Sequence, residues 1–269
     1  MDILGERVHT ADPVTGARSH FATGVPVGAA GLTTGGLTTG GGLVLALVDH
    51  FATCAADGTG LRRVRGLTTR APAVRFNDGK PDPWGGFCAG TMRWRGDGEP
   101  GKAGSLYRLA PDGTVAELLA GVSVSNGLDW SDDRRTFYYI DSPAGGIDAF
   151  DTDPDTGALS GRRRILDVAP ADGMPDGMTL DADGCLWVAV WGSGELRRYS
   201  PGGVLDTVVT VPARQVTSAA FGGADLATLF ITTAREDFTP ADRASEPHAG
   251  DVFACTPGVT GRLPFRYAG

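Results

Sequence analysis

Charged and amide side chains crowd into one short stretch in the first third of this chain. Within eight residues it holds Arg75, Asn77, Asp78, Lys80 and Asp82. Gly79 and Pro81 interrupt the stretch and Pro83 follows it, so it is predicted to be a loop and not a continuous helix or a plain strand. Amide and carboxylate oxygens are ligands that hard cations prefer. The stretch therefore indicates a polar loop that binds a cation or a substrate.

Two later segments repeat this pattern in a simpler form. Asn126-Gly127 and Asp176-Gly177 each place one oxygen-bearing side chain and a glycine at the start of an alternating apolar run. An Asn or Asp before Gly is more often a turn residue than a ligand, and that interpretation stays open here. The alternative hypothesis is that Asn77, Asn126 and Asp176 converge on one hard cation, although they lie far apart in sequence.

The composition is typical of a β-rich globular protein. Forty-one glycines and 17 prolines are too many for long helices, while 41% hydrophobic residues are enough to bury a core. A net charge of -8 argues against a nucleic-acid partner, and no run of Lys or Arg suggests an anionic membrane surface. The expected partner is a small-molecule substrate.

Other chemistries find little support in the sequence. Four widely spaced cysteines form no C-x-x-C pair, so we interpret them as free thiols. His9, His20, His50 and His248 lie outside the polar motifs, so no motif supports a histidine metal site or a Ser-His-Asp triad, and most of them are interpreted as surface or turn residues. No signal peptide and no apolar stretch of about 18 residues is present, so a cytoplasmic protein is expected.

A short sequence pattern repeats along the chain. A glycine, a short alternating strand and a turn recur from Gly104, Gly145, Gly194 and Gly250, at spacings of 41, 49 and 56 residues. Spacings of this size suit the blades of a β-propeller with variable loops. The predicted units are near 23–71, 72–120, 121–168, 172–212 and 213–258, with the first 22 residues as part of another. All of them are assigned to a single domain, 1–269.

At these motifs the chain resembles the senescence marker protein/gluconolactonase family, which includes regucalcin-type lactonases and luciferin-regenerating enzymes. The resemblance covers essentially the whole chain and depends on several motifs in the same order. They are Arg75-Phe-Asn-Asp-Gly-Lys80, Gly90-Thr-Met92, Ser125-Asn-Gly-Leu-Asp-Trp130, Pro175-Asp-Gly-Met178 and Ala249-Gly-Asp-Val-Phe253. It implies an all-β fold, a six-bladed β-propeller with one divalent cation in the central channel.

The resemblance also implies a role for each polar position. Asn126 and Asp176 would coordinate the cation, and Asp176 would in addition be the catalytic base. Arg75 and Asn77 would bind the substrate, with Asn77 reaching the cation directly or through water. All-oxygen ligation suits calcium first, and zinc, magnesium or manganese also fit. Against this family pattern, the turn interpretation of Asn126 and Asp176 is disfavoured.

Two departures from the family pattern bear on activity. Family members carry a metal-binding Glu in a segment that would precede Met1, so the first blade is predicted to be incomplete at the N-terminus. Either Met1 lies within a longer chain, or this is a shortened variant that would hold its cation with fewer protein groups and more weakly. The acidic residue that often follows the Thr-Met pair is also absent, and Arg93, Trp94 and Arg95 stand there instead. This second change weakens the expectation of the usual sugar lactone.

The sequence thus predicts a divalent-metal-dependent hydrolase that opens a lactone or a related carboxylic ester. The cation would activate water, Asp176 would accept the proton, and Arg75 would be a secondary donor to the oxyanion. Two alternatives stay open: a family member repurposed for another Lewis-acid reaction, and a non-catalytic propeller that binds a small molecule because the third metal ligand is missing. The incomplete blade would leave an exposed edge, which would allow a homo-oligomer.

Overall fold

The computed structural model describes residues 1–34, 41–67, 74–94 and 101–269, so Arg95 of the sequence motif lies outside the described ranges. These residues form β-strands β1–β21, one short α-helix and two short 3-10 helices. They fall into two compact units, residues 1–125 with 264–269, and residues 126–263. No helix in the described part of the chain is both long and apolar enough to cross a membrane. The assignment of one domain stays a prediction.

The first unit contains a two-stranded ribbon and two four-stranded antiparallel sheets, each built from strands that follow one another in the chain. The ribbon pairs β1 (Arg7–Ala11) with β2 (Arg18–Ala22). The next sheet consists of β3 (Val27–Leu32), β4 (Gly42–Leu47), β5 (His50–Ala55) and β6 (Arg62–Gly66). The last consists of β7 (Val74–Pro81), β8 (Phe87–Arg93), β9 (Gly104–Leu109) and β10 (Val115–Val122).

The second unit contains two four-stranded sheets and one three-stranded sheet of the same antiparallel kind. The first consists of β11 (Ser125–Trp130), β12 (Thr136–Asp141), β13 (Gly146–Thr152) and β14 (Leu159–Asp167). The second consists of β15 (Met174–Leu180), β16 (Leu186–Trp191), β17 (Glu195–Tyr199) and β18 (Leu205–Thr210). The third consists of β19 (Val216–Gly222), β20 (Thr228–Thr233) and β21 (Val252–Cys255), with helix α1 (Pro240–Ser245) before its last strand.

Burial decreases across each sheet from its first strands to its last. In the sheet of β15 to β18, β16 is almost fully buried, whereas β18 is mostly exposed. The apolar sequence of β16 is what a strand covered on both faces requires. Buried aromatic side chains anchor the sheets, among them Phe51, Phe76 and Phe87 in the first unit and Trp187 in the second. Within each unit, the polar motifs lie on the first strands of their sheets, which are β7, β11 and β15.

The predicted repeat is confirmed, but the predicted number of blades is not. The five predicted units agree to within a few residues with five sheets of three or four strands, which span 27–66, 74–122, 125–167, 174–210 and 216–255. The described residues therefore form five blades of an all-β propeller, not six. The remaining piece, β1 with β2, has only two strands, because the described chain supplies no further strand to that ribbon.

A second correction concerns the polar stretch around Asn77. It was predicted to be a loop, yet it forms strand β7, which pairs with β8. Its proline is tolerated because Pro81 ends a strand at the edge of its sheet, where one less backbone donor costs little. The irregularity expected from the glycine and prolines appears instead as a β-bulge, since the register shifts between Phe76 and Asp78.

The bulge in β7 recurs in the first strands of other sheets. Register shifts occur between Pro175 and Met178 of β15, between Val27 and Ala29 of β3, and between Val216 and Ser218 of β19. A bulge inserts one extra residue and re-aims its side chain, and bulges are frequent next to active sites. Asn77 and Asp176 both lie within such bulges.

Candidate functional site

The amide of Asn126 is held in one orientation by two hydrogen bonds in series. Asn126 lies in β11 with 7% of its surface exposed. Its Nδ2 donates to Oγ of Ser142 at 2.9 Å, and Oγ of Ser142 donates to the carbonyl oxygen of Pro175 at 2.7 Å. Because Nδ2 is engaged by a protein acceptor, Oδ1 is the atom of this amide that is left to face a ligand.

Asp176 directly follows Pro175. The two hydrogen bonds that run from Asn126 through Ser142 to Pro175, called the relay below, therefore end next to Asp176. It is half-buried and lies in the bulge of β15. The backbones of β11 and β15 lie in close contact at this point, because a Cβ added at Gly127 would lie 2.6 Å from the carbonyl oxygen of Asp176. The structure therefore brings the segments that carry Asn126 and Asp176 into contact, although Asp176 lies 49 positions after Gly127 in the sequence.

The glycines after Asn126 and Asp176 serve this close approach and not a turn. Gly127 and Gly177 both lie inside strands, and neither has a positive φ. A Cβ at Gly177 would meet Oγ of Ser218 at 2.5 Å and the carbonyl oxygen of Thr217 at 2.6 Å, in the neighbouring strand β19. The turn interpretation of these two dipeptides is therefore wrong, because the glycine makes room for an adjacent backbone.

In the first unit, Arg75 and Asn77 form a second polar pair. Nη1 of Arg75 donates to Oδ1 of Asn77 at 2.8 Å and to the carbonyl oxygen of Phe76 at 3.0 Å. Nδ2 of Asn77 donates to the carbonyl oxygen of Ser125 at 2.9 Å. Arg75 is 8% exposed, so its guanidinium is fixed within the protein. Asn77 thus holds Arg75 in place, while Asp82 binds Arg108.

The other carboxylates of the polar stretch stabilise local backbone. Oδ1 of Asp82 accepts from the backbone N–H groups of Trp84 and Gly86, at 2.8 and 2.9 Å, and the side chain is 1% exposed. Oδ1 of Asp78 accepts from the N–H of Gly79 at 2.7 Å. Burial raises the pKa of Asp78, while this N–H and the charge of Lys80 act in the opposite direction. Asp78 therefore braces the backbone of β7 at Gly79.

Sequence reasoning did not identify Ser142 or Thr217. Ser142 follows β12 in a 3-10 helix, and its role depends on partners 16 and 33 residues away, which no local motif reveals. Thr217 lies in the bulge of β19, the place that Asp176 has in β15, and its Oγ1 lies 2.6 Å from Oγ1 of Thr232. Only an alignment of the first strands of the sheets with one another would have shown that Thr217 has the same position in its strand as Asp176.

The donor set fits a hard cation only in part. Oδ1 of Asn126 and the carboxylate of Asp176 are oxygen atoms on contacting segments, and oxygen is the donor that calcium and magnesium prefer. Within the described ranges, no group of three or more His, Cys, Asp or Glu side chains is arranged to hold a metal ion. The two oxygens would therefore be supplemented by water or substrate.

Comparison with protein families identifies the group of proteins to which this chain is similar. The model of the SMP-30/gluconolactonase/LRE-like region matches residues 1–235. The "Putative sugar lactone lactonase YvrE" of Bacillus subtilis is 38% identical over 228 residues, which cover 84% of this chain and 77% of that protein. Regucalcin of Oryctolagus cuniculus is 37% identical, with 100% of this chain and 90% of that protein covered.

Solved structures agree with these similarities. A luciferin-regenerating enzyme superimposes with a TM-score of 0.90 at 30% identity, over 100% of this chain and 90% of its own. Regucalcin of Agrobacterium tumefaciens, described as a calcium-binding protein, has a TM-score of 0.91 at 28% identity, over 99% of this chain and 88% of its own. Sequence and structure thus point to the same set of relatives.

Proposed function

The chain belongs to the SMP-30/gluconolactonase/LRE-like family, and on this premise we propose that it is a divalent-metal-dependent hydrolase that opens a lactone or a related carboxylic ester. The observation that supports this most is the relay from Asn126 through Ser142 to Pro175. It fixes an amide oxygen next to the segment that carries Asp176, in a family that includes gluconolactonases.

Asn126 and Asp176 are the residues that would hold the cation. Both present oxygen, and calcium is our first choice because a relative of known structure is described as calcium-binding. Zinc, magnesium or manganese would also accept these ligands. When bound, such a cation would polarise an ester carbonyl and ease the deprotonation of water.

The carboxylate of Asp176 would accept and return the proton that moves during the reaction. A water oxygen forms a bond to the lactone carbonyl carbon, the C=O π electrons move onto the carbonyl oxygen, and one water proton passes to the carboxylate of Asp176. The C=O bond then re-forms as the ring C–O bond breaks, and the same proton returns from Asp176 to the departing ring oxygen, which yields the open hydroxy acid. A positioned general base of this kind contributes about 10²- to 10⁴-fold to a rate.

Arg75 and Asn77 would bind the substrate. Arg75 carries a permanent positive charge and is oriented by Asn77, so its guanidinium would stabilise an oxygen that becomes negative during the reaction. Fixed donors are more effective than mobile ones because they need no reorganisation during the reaction. The substrate class is a small lactone or ester.

The experiment is to measure lactone opening by pH-stat after treatment with EDTA and after return of single cations. Sugar lactones, simple aliphatic lactones and phenyl esters should be compared in the same assay. We expect loss of activity with EDTA and recovery with calcium, zinc, magnesium or manganese. Full activity in EDTA would contradict metal dependence, and saturable binding without turnover of any ester would favour a binding protein.

A further inference from the structure

Two histidines face each other across the ribbon of β1 and β2. His9 pairs directly with His20 in the antiparallel register, and their ring centroids are 5.5 Å apart with 37° between the ring planes. Both side chains are exposed. They are remote in sequence from every motif discussed above, and nothing in the proposed hydrolase reaction uses them.

His9 and His20 occupy the kind of cross-strand position at which side chains of an antiparallel ribbon come closest. Thr23 donates its N–H to the carbonyl oxygen of Glu6, and Asp12 donates to that of Ala17, both at 2.9 Å. Hydrogen-bonded pairs alternate with non-hydrogen-bonded pairs along an antiparallel ladder. His9 and His20 therefore form a non-hydrogen-bonded pair, in which the two Cα atoms are only about 4.5 Å apart and the side chains approach most closely.

The two faces of the ribbon have different roles. Val8 is 5% exposed and Phe21 is half-buried, so their face of the ribbon is directed to the core of the first unit. Because successive side chains in a strand alternate between faces, His9 and His20 occupy the opposite, solvent-facing side. The imidazole pair is therefore open to a ligand from solution and is not needed for packing.

We propose that His9 and His20 form a two-histidine clamp for one divalent transition-metal cation, such as Cu²⁺, Ni²⁺ or Zn²⁺. Neutral imidazole nitrogen suits these cations. With metal–nitrogen bonds of about 2.0–2.1 Å, the ring centroids of two imidazole ligands lie roughly 5 Å apart at the tetrahedral angle of Zn²⁺ and roughly 4.5 Å apart at the right angle of square-planar Cu²⁺ or Ni²⁺. The observed 5.5 Å needs only a small side-chain adjustment.

Two positive charges near the histidines restrict which cations this clamp can bind. Arg7 and Arg18 lie two residues from the histidines on the same strand faces and are exposed. Their positive charge repels any cation, so only cations that bond strongly to nitrogen overcome it. Calcium, which requires several oxygen ligands, is excluded. The clamp is thus separable from the Asn126–Asp176 site by its choice of metal.

The test is a Cu²⁺ titration of the tag-free full chain in the presence of excess calcium, followed by calorimetry and electron paramagnetic resonance. We expect one Cu²⁺ per chain with the spectral signature of two imidazole nitrogens. His9→Gln and His20→Gln should each weaken binding by about tenfold or more, the scale of losing part of a metal site. His248→Gln, at another exposed histidine, should leave the affinity unchanged.

Circular dichroism of both variants should match the wild type, because the two side chains are exposed. Undiminished Cu²⁺ affinity in both His9→Gln and His20→Gln would overturn the clamp, as would a signature of a single nitrogen in the wild type. Lactone opening in these variants should equal that of the wild type, so the outcome is independent of the proposed hydrolase.

Discussion

Nδ2 of Asn126 donates to Oγ of Ser142 at 2.9 Å, and this one bond determines which end of the Asn126 amide can meet a ligand. An asparagine without such a partner can present either oxygen or nitrogen. Ser142 is itself oriented by its bond to the carbonyl oxygen of Pro175. The orientation of the Asn126 amide is therefore set by Ser142, a residue that would itself touch no metal.

Replacement of Ser142 by Ala removes both bonds of this relay. Two buried groups, Nδ2 of Asn126 and the carbonyl of Pro175, would lose their partner, so the free energy of unfolding should fall by about 1–3 kcal/mol. Calcium affinity should fall as well, because the amide oxygen is no longer oriented. Urea denaturation measures the first effect and calorimetric titration the second.

Thr152→Val is the matched control for this change. Thr152 is also buried in the second unit, but its Oγ1 has no hydrogen-bond partner among the described residues. Its replacement should be neutral or slightly stabilising, because an unsatisfied buried hydroxyl is removed. Equal losses of stability in the Ser142→Ala and Thr152→Val proteins would contradict the relay.

Gly127→Ala tests the close approach of β11 and β15. The new Cβ would lie 2.6 Å from the carbonyl oxygen of Asp176, so the backbones must separate, at a cost of about 1–3 kcal/mol. Gly202→Ala is the control, since a Cβ there meets only Oγ of Ser200 at 3.9 Å. Thermal unfolding should distinguish the two variants, and an unchanged Gly127→Ala protein would rule out this packing.

Arg75→Lys keeps the positive charge but removes the planar fork that Asn77 orients. If Arg75 binds the substrate, kcat/KM for the best lactone should fall by roughly 10- to 100-fold, the value of a hydrogen bond to a charged group. Calcium affinity should not change. Arg65→Lys, an exposed arginine bonded to the carbonyl of Gly113, is the control. Wild-type kinetics in Arg75→Lys would exclude the role.

Asp242 in helix α1 should make the stability of the fold depend on pH. The side-chain and backbone hydrogen bonds from Thr239, together with Arg214, lower the pKa of Asp242 to about 2. A carboxyl with a depressed folded-state pKa stabilises the fold above its unfolded pKa, and this contribution is lost as the pH falls through the folded value. Asp242→Asn should therefore melt lower than wild type near pH 6.

The difference in melting temperature should shrink between about pH 4 and pH 2, where the wild-type carboxyl becomes protonated. Thermal scans of both proteins at several pH values measure it. A difference that stays constant over this range would show that the charge of Asp242 does not contribute.

The repeat could be read from sequence because each unit carries its own local signals. The phrases that begin at Gly104, Gly145 and Gly194 mark strands β9, β13 and β17 to within a residue or so. Apolar runs such as Leu186 to Trp191 are central strands because only a strand covered on both faces can bury them. Local pattern was therefore enough for the order and approximate bounds of the sheets.

Local pattern was not enough for the site. Asn126-Gly127 and Asp176-Gly177 look like turns because glycine is favoured both in turns and where two backbones approach closely. Only the neighbouring strand distinguishes the two cases, and that neighbour is remote in sequence. The bulge at Asn77 was mistaken for a loop for the same reason, since its pairing with β8 is set by the sheet.

Calcium binding by the Asp176→Asn protein, measured by calorimetry alongside its rate of lactone opening, tests the central claim most directly. The substitution keeps the shape of the side chain but removes the charge and the basic oxygen, and Asp155→Asn, at an exposed carboxylate, is the control. We predict that Asp176→Asn loses calcium binding and at least about 10²-fold in rate, while Asp155→Asn keeps both. Wild-type calcium affinity and lactone opening in Asp176→Asn would contradict the account.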